Sequence, residues 1–205
     1  MTNRKAYFVT GIGTGIGKTI VSAVLTKKLK ADYWKPVQSG DLDSSDTLKV
    51  KSLISNNQTV FHPETYRLTQ PYSPHKSAAI DGIEIDLDQF ILPKTDNNLI
   101  IEGAGGLMVP LNDQFLMIDL VKKLNVSVIL VSQNYLGSIN HTLLSVTILK
   151  QYGIAIEGII FNGKMDLDSE GYILSYTGLK LLGKLPEFEV VDEAAVTDAG
   201  KYIDL

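Results

Sequence analysis

The stretch GIGTGIGKT, residues 11 to 19, constrains the fold of this chain more than any other. It follows AYFVT (6–10), which is apolar and β-rich, and it leads into KTIVSAVLTKKLK (18–30), which has a helical pattern. Four glycines in seven positions cost backbone entropy, and a chain carries them where side chains would obstruct something. Between a strand and a helix, bare backbone N–H groups can wrap a phosphate, aided by the positive end of the helix. Lys18 would then reach the β- and γ-phosphates, and the Thr19 hydroxyl would ligate Mg²⁺. The common spacing is G-x-x-x-x-G-K-[ST]. Here Ile12 stands at its first position and the glycine lies one residue earlier, at Gly11. Two other readings compete: a flexible turn with a chance Lys-Thr, and a dinucleotide loop, which G-x-G-x-x-x-G at 11–17 nearly fits. The second needs an acid at the end of the next strand, and YWKPV (33–37) ends in Lys-Pro-Val.

The rest of the chain repeats the alternation. NLIIEGAGG (98–106), VSVILVSQ (126–133) and IEGIIFN (156–162) read as apolar strands. A helix is expected over 139–153, and 172–186 holds a short helix and a last strand. Unbroken apolar strands imply burial on both faces, hence a parallel sheet between helices. Right-handed crossovers then give a doubly wound, mostly parallel α/β fold; with the glycine loop between its first strand and helix, the expectation is the fold of P-loop nucleoside triphosphate hydrolases. At 205 residues a single domain over 1–205 is expected. Residues 56–76, rich in Asn, Pro and Tyr, read as a long insertion loop. With 19 Lys and Arg against 23 Asp and Glu the net charge is −4, so no general field draws nucleic acid or an anionic membrane. There is no cysteine, which excludes disulfides and thiolate chemistry and suits a cytoplasmic protein. The N-terminus has no signal-peptide core, and no apolar run reaches the length of a membrane span.

A nucleotide site needs an acidic arm for Mg²⁺, and Glu102 ends an apolar strand at the edge where α/β ligands sit. Asp46 is a second candidate, with Asp41 and Asp43 close by; composition does not choose among them, and Ser44, Ser45 and Asp46 also read as helix capping. Lys35 sits near the end of a core strand, where a cation is costly unless an anion faces it. Pro36 biases it toward extended backbone, aiming the ammonium at the phosphate edge.

The segments YFVTGIGTGIGKT, WKPVQSG, SPH (73–75), IIEGAGGLMVPL, GSINHTLL and GIIFN, in this order, resemble the dethiobiotin synthetases. The likeness covers nearly the whole chain, is weakest over 42–70 and beyond about 164, and includes the shifted Gly11 spacing. It implies an ATP-dependent ligase of biotin biosynthesis. In that reaction 7,8-diaminononanoate captures CO₂ as a carbamate, the carbamate attacks the γ-phosphate, and the second amine closes the ring as phosphate leaves. The resemblance places Lys18 and Lys35 beside the carbamate and γ-phosphate, with Thr14 and Ser39 hydrogen-bonding nearby. It selects Asp46 from the local acids, so that Thr19, Asp46 and Glu102 hold Mg²⁺. It assigns nucleotide contacts to Gly13, Thr14, Gly15, Ile16, Gly17, Lys18, Thr19 and Ile20, with Asn162 and Pro186 near the base.

Substrate contacts implied by the resemblance are Ser39, Gly105, Gly137, Ser138, Ile139, Asn140 and Tyr172. Those from Gly137 onward reach across a two-fold homodimer to the substrate carboxylate, with Ser138 or Asn140 capping the helix. His75 and His141 are assigned no catalytic role: the first is expected to pack or hydrogen-bond in the insertion loop, the second to lie in a helix's first turn. The chain departs from some family members at Gly13 and Gly15, where they carry acids. The rival reading is a partitioning or site-selection ATPase acting as a protein-interaction switch. Such proteins carry a signature lysine five residues before the loop lysine, where this chain has Gly13.

Overall fold

The computed structural model describes residues 4–205. Its main sheet has seven parallel strands in the order β4-β2-β6-β1-β7-β8-β9. These are β1 (Ala6–Gly11), β2 (Asp32–Trp34), β4 (Phe61–His62), β6 (Leu99–Gly106), β7 (Ser127–Ser132), β8 (Ile156–Asn162) and β9 (Leu181–Leu185). The short β3 (Val37–Ser39) and β5 (Tyr66–Leu68) form a separate parallel pair. The helices are α1 (Lys18–Leu29), α2 (Asp46–Ser52), α3 (Pro74–Asp81), α4 (Met117–Leu124), α5 (Ser138–Gln151), α6 (Leu167–Thr177) and α7 (Glu193–Ala199).

Strand alternation builds the two faces. Tyr7, Val9, Ile100, Ile129 and Ile160 pack with Val21 and Val24 of α1 and Val196 of α7. Phe8, Ile101 and Val128 point the other way, onto Met117, Leu120 and Val121 of α4, and Leu130, Ile159 and Phe161 meet Val146 of α5 and Ile173 of α6. The doubly wound parallel sheet expected from the apolar strands is the observed fold.

Two expectations change. YWKPV is not one strand: β2 stops at Trp34, and β3 begins at Val37 in the other sheet. Pro36 has no N–H to continue the ladder, and its carbonyl instead accepts from Thr65 and Tyr66. The 56–76 segment is not simply a loop, because it holds β4, β5 and the start of α3. Its pairing partners lie far off in sequence, so no local pattern announces them.

The segment is anchored at the sheet edge opposite the glycine loop. Buried Asp32 accepts hydrogen bonds from Val60 N–H at 2.9 Å, Thr95 Oγ1 at 2.5 Å and Asn97 Nδ2 at 2.9 Å, and pairs with His62 Nε2 at 3.2 Å. Burial works against its charge, but these bonds outweigh it and hold the carboxyl below the usual carboxylate range.

Candidate active site

At the C-terminal edge of the sheet, β1 delivers Gly11 into the glycine loop and α1 starts at Lys18. Gly17 caps that helix at φ 89°, a left-handed conformation that suits glycine. A Cβ there would lie 2.1 Å from Asn162 Nδ2. The side chain of Ile16 is buried in the core and lies against Gly11, where a Cβ would meet its Cδ1 at 2.2 Å. Ile16 therefore anchors the loop, and only its backbone is free to meet a ligand. The Asn162 amide donates to the Ile16 carbonyl at 3.0 Å, and Asn162 pairs with Leu185, which brings Pro186 beside it.

The loop faces a cavity of about 730 Å³ lined by Thr14, Gly15, Gly17, Lys18, Thr19 and Ile20 on one side. Lys35, Ser39, Asp46, Glu102 and Gly105 line it as well. Gly105 (φ 65°) brings its backbone near Thr14, whose Oγ1 would sit 3.6 Å from an added Cβ. Ser39 Oγ is buried against the cavity with no hydrogen-bond partner among the described residues.

The charged centre is compact. The register Trp34↔Ile101 sets Lys35 beside Glu102. Lys35 Nζ lies 3.1 Å from Glu102 Oε1 and 2.6 Å from Asp46 Oδ2, and it also donates to the Gly103 carbonyl at 3.3 Å. Thr19 Oγ1 lies 2.9 Å from Asp46 Oδ1 and 2.8 Å from Glu102 Oε1. Two residues the sequence reading missed orient the acids. Tyr33 donates its hydroxyl to Glu102 Oε2 at 2.8 Å, and Gln38 Oε1 accepts from Asp46 N–H at 3.2 Å. Ser45 caps α2, as its position suggested, by accepting from Leu48 N–H.

Burial alone would push the Lys35 ammonium down, but Glu102 and then Asp46 overcome it and raise its pKa. Burial also opposes the charge of Asp46, yet Lys35 first and Thr19 after it hold that carboxyl low. Lys18 donates to the Gly13 carbonyl at 2.7 Å and has no carboxylate at that range. Burial, with Lys35 as the second cause, pushes it down to about 8. A phosphate against Lys18 would offset both causes with an opposite charge and raise the pKa again. Nucleotide binding is therefore expected to take up a proton as pH rises through about 8, with little uptake near pH 7. Calorimetry in buffers of different ionisation enthalpy measures this, and uptake that stays flat across pH 8 would contradict it.

Two lysines against two carboxylates leave the centre neutral in formal charge. The metal candidates are a hydroxyl and two carboxylates, the hard oxygen donors Mg²⁺ accepts when phosphates complete its shell. They fit that ion. They are too few for a dedicated cage, and among the described residues no group of three or more His, Cys, Asp or Glu side chains is placed to hold a metal ion.

The remaining predicted residues gather elsewhere. Gly137, Ile139, Asn140 and Tyr172 line a second cavity of about 950 Å³ that shares no lining residue with the first. Gly137 (φ 101°) caps α5 itself, with no side-chain hydrogen bond. The expected capping by Ser138 or Asn140 is therefore corrected: both lie inside the helix, and the Ser138 carbonyl accepts from Thr142. His141 lies in the first turn and its Nδ1 is 2.8 Å from the Tyr135 hydroxyl. His75 is exposed at the start of α3 rather than packed in a loop.

Fold, glycine loop and charged centre together define a P-loop ATPase. A family model described as an AAA domain matches residues 5–195. Among solved structures, the septum site-determining protein MinD of Pyrococcus horikoshii, complexed with Mg-ADP, matches with a TM-score of 0.58 at 17% identity. That match covers 96% of this chain and 86% of the other. A putative plasmid partition protein of Borrelia burgdorferi bound to AMPPNP also gives 0.58, at 12% identity over 99% and 92%. These likenesses establish the fold alone. Sequence relatives are far nearer. The ATP-dependent dethiobiotin synthetase BioD of Christiangramia forsetii is 50% identical, over 95% of this chain and 93% of its own. That of Cytophaga hutchinsonii is 48% identical over 98% of both. The chain belongs to the AAA-domain family and, within it, to the ATP-dependent dethiobiotin synthetases. Among the described residues no helix is long and apolar enough to cross a membrane.

Proposed function

We propose that this chain carries out the reaction its relatives are named for: ATP-dependent carboxylation and ring closure of 7,8-diaminononanoate with CO₂ to dethiobiotin, ADP and phosphate. The observation that carries the reading is the meeting of Lys18, Lys35, Thr19, Asp46 and Glu102 around one cavity, in a chain 50% identical to such a synthetase. The chemistry asks the protein for placement and charge neutralisation more than for covalent work. Lys18 and the loop N–H groups bind the phosphates. Lys35 moves from its carboxylate partners to the carbamate and the transferring phosphoryl group, and Thr14 and Ser39 orient the carbamate; the unpartnered Ser39 Oγ supports that role. Thr19, Asp46 and Glu102 hold Mg²⁺, which supplies positive charge to the phosphate oxygens. Gly13, Gly15, Gly17 and Ile20 pack along the nucleotide, and Asn162 and Pro186 border its base.

The substrate tail belongs to the second cavity, contributed by the partner in a homodimer. The separation of the two cavities supports this. So does the exposed apolar surface beside the second one, where Leu136, Leu144, Met165 and Tyr176 all face outward. The test is product formation. Purified protein with ATP, Mg²⁺, bicarbonate and the diamine should yield dethiobiotin by mass spectrometry, with ADP release requiring the diamine. ATP hydrolysis indifferent to diamine and bicarbonate would favour the partitioning-ATPase reading instead.

A further inference from the structure

We infer that Tyr33 is a positioning residue for the metal site: its buried hydroxyl holds the outer oxygen of Glu102 and so presents the other oxygen to Thr19, Lys35 and a bound Mg²⁺. The inference rests on the assignment of Glu102 as a metal ligand.

Glu102 is 1% exposed, and a buried carboxylate needs donors on both oxygens. Oε1 lies within hydrogen-bond reach of Thr19 Oγ1 and Lys35 Nζ. Oε2 has the Tyr33 hydroxyl, at 2.8 Å. The contact follows from strand register. Tyr33 pairs with Ile100, two residues before Glu102, so both side chains leave the sheet on the face that carries α1. The ring is fully buried in the same apolar cluster as Val50, Leu53 and Ile54, with the Phe61 ring 6.0 Å away. A phenylalanine would fill that space equally well. The hydroxyl adds nothing to the apolar packing, and its hydrogen bond goes to Glu102. Without it Oε2 is unpaired in the core, and the carboxylate gains by rotating away from Thr19 or by taking a proton. Either change spoils it as a metal ligand.

Groups that orient a metal ligand typically account for about ten- to a hundredfold in metal affinity. The test uses Mn²⁺ as the probe, titrated by electron paramagnetic resonance into protein saturated with ADP. Three variants are compared with wild type: Tyr33→Phe, Glu102→Gln and Phe61→Leu. Tyr33→Phe should weaken Mn²⁺ binding about tenfold or more. In turnover it should raise the Mg²⁺ requirement while kcat at saturating Mg²⁺ stays much nearer wild type. Phe61→Leu disturbs the same packing without touching Glu102; it should lower the melting midpoint and leave Mn²⁺ affinity unchanged. Mn²⁺ affinity that falls in Glu102→Gln but not in Tyr33→Phe overturns the role of Tyr33. Affinity unchanged in Glu102→Gln overturns the ligand assignment beneath it. Equal loss in Tyr33→Phe and Phe61→Leu assigns the effect to packing and overturns the inference as well.

Discussion

Replacing Lys35 with alanine is expected to lower kcat about a hundredfold or more, the usual consequence of losing a donor aimed at developing charge, and to leave nucleotide affinity close to wild type. The asymmetry follows from the resting contacts. Lys18 and the glycine loop are the groups proposed to meet the phosphates, whereas Lys35 is held 2.6 Å from Asp46 and 3.1 Å from Glu102. At rest that charge is balanced by the two carboxylates that would hold Mg²⁺, and it would be free for the reaction once they did so. The same contacts predict a second effect. Without Lys35, the two acids face each other across Thr19 with no cation between them. Removing one partner of a buried ion pair costs about 3–5 kcal/mol, and partial exposure of Asp46 puts this case toward the lower end. The variant should therefore melt below wild type without metal and recover more of the difference when Mg²⁺ and ADP are added. Steady-state kinetics, nucleotide calorimetry and melting curves check the three parts. Weak nucleotide binding with intact kcat would place Lys35 in the ground-state phosphate site instead.

Mixing two inactive variants should restore activity. Lys18→Ala disables the phosphate site, and Asn140→Asp sets a negative charge where the substrate carboxylate should lie. If each active centre joins the first cavity of one chain to the second cavity of its partner, a mixed dimer has one intact centre. It combines Lys18 of the Asn140→Asp chain with Asn140 of the Lys18→Ala chain. With free exchange half of the dimers are mixed and each has one good centre of two, so the mixture should reach about a quarter of wild-type activity. No recovery after subunit exchange has been verified, or an active monomer by sedimentation, would refute the shared site.

Much of this was legible in the sequence because the relevant signals are local. A strand, a glycine loop and a helix in immediate succession announced Lys18 and Thr19. An apolar run ending in acid and glycines announced Glu102, and Pro36 pointed to Lys35. Asp46 needed the family likeness, since three acids compete within six residues. What stayed hidden depends on distance in the chain. Tyr33 sits in a strand where any aromatic reads as core, and its hydroxyl finds a partner 69 positions away. Asp32 is satisfied by groups as far as 65 positions off. The helix start at Gly137 misled for a different reason: the backbone turns there through glycine, so the polar residues behind it were not needed as caps.

The anchoring of the glycine loop by Ile16 has a consequence for how this loop can evolve. Its glycines are not equivalent. Gly11 is closed by the Ile16 side chain, and Gly17 by Asn162 and a left-handed backbone. Gly15 has open space around it, but its φ of 75° strains any ordinary residue. At Gly13 an added Cβ meets no atom within 4 Å, and its φ lies outside the left-handed range. Position 13 is thus the glycine of the loop at which a side chain fits this backbone with neither a clash nor a left-handed φ. A carboxylate there needs no change in the turn, whereas one at position 15 needs the backbone to leave its present φ of 75°.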